Sequence, residues 1–140
     1  MTLYLDCEFS NFHGNLISLA LASTTGKHWY RVLPLPTDTN PWVMEHVVPF
    51  LNQEPDEPTF FRHSLWEYLR THRDEEIIAD WPEDFAHLMR QLCEPNGMAP
   101  ALQLEMRLIQ SGELKPDIPH NALSDAIALM HWHVANRGLQ

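Results

Sequence analysis

The chain has 140 residues, 44% of them hydrophobic, and carries 9 Lys and Arg against 19 Asp and Glu for a formal net charge of -10. That length suits one domain with its own core and leaves little room for a second. The acidic balance argues against broad, non-specific binding to nucleic acid, which needs a basic surface. The two cysteines, Cys7 and Cys93, are too far apart in sequence to form a metal knuckle or a disulfide framework. Met1-Thr2-Leu3 enters an apolar segment at once, without a basic leader or a long apolar stretch, so the expected setting is a reducing cytoplasm, with no secretion signal and no membrane span.

Residues 3–9 read as a strand, with Leu3, Leu5, Cys7 and Phe9 on one side and Tyr4, Asp6 and Glu8 on the other. Asp is depleted in strands, and like charges crowded on a sheet repel. Asp6 and Glu8 therefore sit at an exposed strand end or hold a cation. A polar turn over 10–15 containing Gly14 leads into the apolar run 16–22, which reads as a strand buried on both faces. After Ser23-Thr24-Thr25-Gly26, residues 27–33 form a third strand, terminated by Pro34 and Pro36. Pro41, with Asn40 as cap, opens a helix in which Trp42, Val43, His46, Val47, Phe50 and Leu51 fall at helical spacing. The acidic, proline-rich residues 52–58 predict a mobile surface loop, and 59–72 a second helix using Phe61, Leu65, Tyr68 and Leu69.

Ile77-Ile78-Ala79 forms the centre of a fourth strand that ends on Asp80, and Pro82 opens a helix carrying Phe85, Leu88, Met89 and Leu92, stopped at Asn96-Gly97. Residues 99–109 fit strand or helix, with a strand expected in the first half. A proline-bounded loop over 115–119 precedes a closing helix over 122–135, with Ala126, Leu129, Met130 and His133 on one side. Three strands followed by alternating helices and strands predict an α/β fold, a mixed sheet with helices on its faces.

Acidic residues gather at the ends of these elements: Asp6 and Glu8, then Asp80 or Asp84, then Asp125 with His120. Each has an ordinary explanation, since aspartate commonly caps helices and is favoured in a first turn. Their combination places carboxylates from separate regions at one edge of the sheet. Hard divalent cations select oxygen ligands, and Mg²⁺ prefers one or two carboxylates plus substrate phosphate. A pair of such ions serves an in-line phosphoryl displacement, and a neighbouring histidine can take the proton from the attacking water. No Cys and His set shows zinc-ligand spacing. The predicted chemistry is hydrolysis of a phosphodiester, with activity falling at acid pH because the base must be neutral.

Leu5-Asp6-Cys7-Glu8-Phe9, followed by Leu16-Ile17-Ser18-Leu19-Ala20-Leu21, resembles the first motif and second strand of the DEDDh exonucleases. His120-Asn121-Ala122-Leu123-Ser124-Asp125-Ala126 resembles their third motif, H-x4-D. That group includes proofreading exonuclease subunits, oligoribonuclease and RNase T. The stretch Trp42-Val43-Met44-Glu45-His46-Val47-Val48-Pro49 is similar to the small bacterial and phage exoribonuclease branch first recognised in mycobacteria. The resemblance implies one DEDDh exonuclease domain over 1–140 with a ribonuclease H-like fold, a five-stranded mixed sheet with helices on both faces. It implies 3′-to-5′ removal of nucleotides from single-stranded RNA with two Mg²⁺ or Mn²⁺ ions, Asp6, Glu8 and Asp125 as metal ligands and His120 as general base. The second motif departs from the family pattern, in which an Asn precedes a Phe-Asp pair. Here Asp80-Trp81-Pro82-Glu83-Asp84-Phe85 assigns Asp84 as ligand and Asp80 to the Asn-like slot, with Asp80 as the alternative ligand. A homodimer is common in the family, and residues 42–51 offer apolar surface for one. A 3′-to-5′ deoxyribonuclease of proofreading type and a non-catalytic nucleic-acid-binding relative are the alternative readings.

With only 9 Lys and Arg, grip on a polyanion must come partly from stacking of bases on aromatic rings, which suits single strands and short ends. Phe9 and Phe12, beside the first motif, are the candidates for packing against terminal nucleotides, and Ser10 for touching the 3′ end. Trp29, Trp81 and Trp132 are expected in the core, and His63, His72 and His87 on helix surfaces. His131 and His133, two apart on a helix, point to different faces and read as structural or solvated. Binding of single-stranded RNA should depend only shallowly on salt. A titration whose slope implies many released counterions would contradict this.

Overall fold

β1 (Thr2–Phe9) lies at the middle of the sheet, antiparallel to β2 (Leu16–Ser23) on one side and parallel to β4 (Glu76–Ala79) on the other. β3 (His28–Val32) pairs antiparallel with β2 and β5 (Glu105–Leu108) parallel with β4, giving the order β3-β2-β1-β4-β5. The computed structural model describes residues 2–93 and 102–137. Among them are four α-helices, α1 (Pro41–His46), α2 (Pro58–Thr71), α3 (Pro82–Leu92) and α4 (Ala122–Asn136), and a single 3-10 turn over Val48–Phe50. The molecule is thus α/β with a five-stranded mixed sheet. Among the described residues no helix is long and apolar enough to cross a membrane.

The alternation in β1 divides the core as the sequence predicts. Leu3, Leu5 and Cys7 join Phe61, Leu65 and Leu69 of α2 and Leu88 and Leu92 of α3 beneath one face. Tyr4 packs with Ile78 and Leu129 of α4 on the other. On that second face β2 presents Ala20 and Ala22, which meet Ala122 and Ala126 of α4. Four small side chains let the helix lie close to the sheet, and Ala20 pairs directly with Asp6. α4 is brought down at the position where β1 carries its acids.

Several expectations are corrected. The helix opened by Pro41 stops at His46, because Pro49 lacks an N–H and cannot continue the ladder; Phe50 N–H instead reaches Val47 O at 3.0 Å. The 52–58 loop is pinned rather than loose. Asp56 N–H donates to Val32 O at 2.7 Å and Gln53 Nε2 to Tyr30 O at 3.0 Å, so the loop lines β3, while Pro58 belongs to α2 with Glu57 as its cap. Within 99–109, residues 99–101 fall outside the described residues, 102–104 do not join the sheet, and the strand is Glu105–Leu108. This strand is solvent-exposed and blunted by Glu105 and Arg107, as an edge requires. The Asn96-Gly97 helix stop falls outside the described residues.

Trp29 is buried, with its Nε1–H on Ser64 Oγ at 2.9 Å, and Trp132 packs against the Tyr4 cluster. Trp81 instead is 51% exposed, because it precedes α3 as its cap residue and faces out. His87 is buried at 3% exposure and stacks on Phe9 with ring centres 4.8 Å apart, so it is no helix-surface residue. His133 is structural: Tyr4 Oη and His133 Nδ1 are 2.7 Å apart between the sheet and α4.

Replacing Ala126 by Leu should force α4 away from Ala20 and Ala22 and destabilise the fold by about 1–3 kcal/mol. The exposed Met106→Thr on β5 should stay within about 0.5 kcal/mol. Urea melts of the two variants check the contrast.

Candidate metal centre

β1 and β4 are paired only over Thr2 to Tyr4 on β1, opposite Glu76 to Ile78. Beyond Tyr4 the two strands part, and the space between their carboxyl ends receives the first turn of α3. The Cys7 backbone N–H donates to the Asp84 carboxylate there, and the Cys7 thiol lies 3.8 Å from the Asp84 carbonyl oxygen. Two contacts from one residue thus fasten Asp84 to β1 between Asp6 and Glu8. Asp84 also sits in the helical first turn, where the N-terminal dipole favours an acid.

Asp80 stands at the end of β4, one of its oxygens, Oδ2, accepting from Ser111 Oγ at 2.8 Å. Asp125 arrives from the opposite side in the first turn of α4. Asn121 caps that helix, its Oδ1 accepting Ser124 N–H at 3.0 Å, and the His120 backbone N–H donates to the Asp125 carboxylate. A β-bulge between Glu8 and Phe9 shifts the register with β2 at the strand end; bulges recur beside functional sites, where they re-aim side chains.

These elements build two trios of carboxylates that share one member. Oxygens of Asp6, Glu8 and Asp125 lie within 4.8 Å of one another, and so do oxygens of Asp6, Asp80 and Asp84. The choice between Asp80 and Asp84 therefore does not arise as a geometric exclusion, since both reach Asp6. Asp84 is 1% exposed, and its Oδ2 has no hydrogen-bond partner; Asp6 Oδ2 is likewise closed off from solvent and unpartnered. Buried carboxylate oxygens without donors are costly. Oxygen-only donors at this density match hard divalent cations such as Mg²⁺ or Mn²⁺.

The electrostatics express the same crowding. Burial, then the charges of Asp84 and Glu8, hold the Asp6 carboxyl well above the usual carboxylate range. Burial and the neighbouring Asp125 push Glu8 up to about 9, aided by a hydrogen bond between the two carboxyls. Burial followed by the charge of Asp80 raises Asp84, and burial raises Asp125 against the opposing pull of His120.

His120 is exposed, immediately ahead of the Asn121 cap, and has a left-handed backbone with φ 67°. Its ring lies perpendicular to that of Trp42 at 5.0 Å. Of the residues expected to touch substrate, Phe12 is 67% exposed, whereas Phe9 is half-buried on His87. Ser10 is fully buried, its Oγ accepting Asn15 N–H at 2.9 Å to hold the turn. Sequence reasoning missed Ser111 as the partner of Asp80, Trp81 as an exposed ring, and the Trp42 and His46 rings beside His120. The four-residue spacing of Trp42 and His46 was a legible signal, since it puts both on one helix face. The chain matches no family model and no curated protein, so its activity has to be argued from this site.

Four carboxyls hold their protons more tightly in the fold than in the unfolded chain, so the native state binds more protons. The stability this brings is present below the ordinary carboxylate pKa and drains away as pH rises, with the Glu8 share persisting to about 9. Without divalent cations, the melting temperature should therefore fall as pH rises from about 5 to about 9. Asp84→Asn should flatten that fall and stabilise the metal-free protein at alkaline pH by on the order of 1–3 kcal/mol. Denaturant melts across the pH range check both.

Proposed function

We propose that the chain is a metal-dependent 3′-to-5′ exoribonuclease of DEDDh type, built on a ribonuclease H-like fold and acting on single-stranded RNA. The observation that carries this reading is the pair of carboxylate trios meeting at Asp6, with Asp6 Oδ2 and Asp84 Oδ2 shielded and unpartnered. The sheet order β3-β2-β1-β4-β5 is compatible with the fold that the motif resemblance implies. The free, buried Cys7 thiol suits a reducing cytoplasm.

Asp6, common to both trios, would hold both ions, with Glu8 and Asp125 on one side and Asp84 and Asp80 on the other. Divalent ions bound there supply Lewis-acid stabilisation to the attacking and leaving oxygens of an in-line phosphoryl displacement. Of the two second-motif acids, Asp84 has an oxygen with no other task, while Ser111 already engages Asp80 Oδ2. Asp84 is thus the principal ligand and Asp80 the supporting one. His120, whose backbone is tied to Asp125, takes the proton from the attacking water. The water oxygen bonds to phosphorus while the bond from phosphorus to the preceding O3′ breaks. The terminal nucleotide leaves as a 5′-monophosphate.

Exposed rings stand beside the acids in sequence: Phe12 follows β1, and Trp81 separates Asp80 from α3. They give unpaired bases surfaces to stack on, which suits a chain poor in cations. RNA as substrate rests on the resemblance over residues 42–49.

End-labelled single-stranded RNA and DNA of equal sequence, with Mg²⁺, with Mn²⁺ and with chelator, test the proposal. The expected result is a ladder shortening from the 3′ end in either metal, faster on RNA, and an intact strand in chelator. A strand left intact in both metals would mean a binding module instead. Asp6→Asn and Asp84→Asn should abolish turnover, Asp80→Asn should reduce it less, and His120→Ala should lower kcat by about 10²–10⁴. Near-normal turnover in His120→Ala would remove that residue as the base.

A further inference from the structure

A general base must lie within hydrogen-bond reach of the water it deprotonates, and an error of about 1 Å in such placement can cost about a hundredfold in rate. His120 is poorly equipped to meet that demand alone. It is exposed and sits in a loop, and an exposed side chain samples its rotamers freely. Its backbone φ of 67° lies in the left-handed region, where histidine is tolerated more often than most residues.

The rings against it come from another element. Trp42 and His46, one turn apart on α1, stack with centres 4.5 Å apart and planes 17° from parallel. His120 stands perpendicular to both, 5.0 Å from Trp42 at 81° and 6.5 Å from His46 at 83°. Perpendicular and offset contacts are the geometries aromatic pairs prefer. His46 is itself fixed: its Nδ1 lies 2.9 Å from the Trp42 carbonyl oxygen, which can only accept, so Nδ1 carries the hydrogen.

α1 is held to both ends of the site. Asn40 Oδ1 caps it through Val43 N–H at 2.9 Å, and Asn40 N–H donates to Ser10 O at 3.0 Å, directly behind β1. Past the helix, Phe50 O accepts from Nδ2 of Asn121, the residue after His120, at 2.8 Å. Val43 and Val47 bury the helix against Ile17, which leaves the 51%-exposed Trp42 ring without a core duty.

We propose that Trp42, backed by His46, is a positioning residue that sets the orientation of the His120 imidazole. The inference rests on the reading of His120 as the base, and it assigns the exposed face of α1 a task in the reaction. Trp42 confines the ring through aromatic contact and takes no part in the chemistry.

Trp42→Ala, Trp42→Phe, Trp42→Leu and His120→Ala, assayed on labelled single-stranded RNA with saturating Mg²⁺, test it. Trp42→Ala should lower kcat about tenfold or more with KM within about twofold of the parent. Trp42→Phe, which keeps a ring, should recover most of that loss, and Trp42→Leu, which fills the volume without one, should not. A second readout is independent of turnover: in the metal-free protein the His120 ring-proton NMR signals, assigned by their loss in His120→Ala, should carry a ring-current shift that Trp42→Ala and Trp42→Leu remove. A rise in KM at unchanged kcat would make Trp42 a base-stacking surface and overturn the proposal, as would unmoved His120 signals. If His120→Ala turned over normally, the base reading would fail, while the NMR comparison would still report whether Trp42 orients the ring.

Discussion

Mutual repulsion among buried carboxylates is the constraint around which this structure is arranged. Asp6 faces Asp84 and Asp80 on one side and Glu8 and Asp125 on the other, in a crevice where solvent screening is weak. A fold has three ways to accommodate such charges: keep the protons on, supply hydrogen-bond donors, or admit a cation. The first accounts for the upward shifts of Asp6, Glu8, Asp84 and Asp125. The second is only partly used, through the Cys7 and His120 backbone N–H groups and Ser111 Oγ. Two oxygens remain without donors, which leaves a place for the third.

The rest of the architecture delivers those acids against their repulsion. Alanines on β2 and α4 remove the bulk that would keep the helix away, and hydrophobic contact around Leu129 fastens it. On the other side, β1 and β4 separate just where α3 can insert its first turn, and the apolar layer of α2 and α3 beneath the sheet holds that turn down. Burial of apolar surface is non-directional and strong, and it can overrule local electrostatic cost in this way. α1 contributes less apolar area but ties the turn after β1 to the cap of α4, so three separate stretches of sequence share one frame around His120.

Where expectation and structure differ, the reason is competition for a side chain that the sequence shows as free. Ser10 looks exposed beside the first motif, yet it is buried and its hydroxyl accepts Asn15 N–H to close the 10–15 turn. His87 looks like a surface histidine, yet it carries the half-buried Phe9 ring. Trp81 looks like core by composition, yet Pro82 starts α3 immediately after it and turns the indole outward. Each outcome depends on a neighbour distant in sequence or on the direction in which an element begins.

By itself the sequence determined what depends on short-range periodicity and local chemistry. The face shared by Tyr4, Asp6 and Glu8 follows from the two-residue period of a strand, the wholly buried β2 from its nearly unbroken apolar run, and two helix starts from Pro41 and Pro82. The three regions that furnish acids were legible for the same reason. Tertiary structure alone decided that Asp80 and Asp84 both reach Asp6, that Asp6 and Asp84 each keep one oxygen without a donor, and that Trp42 and His46 flank His120. Those facts depend on how strands part and how helices seat across the sheet, and packing over the whole chain sets them.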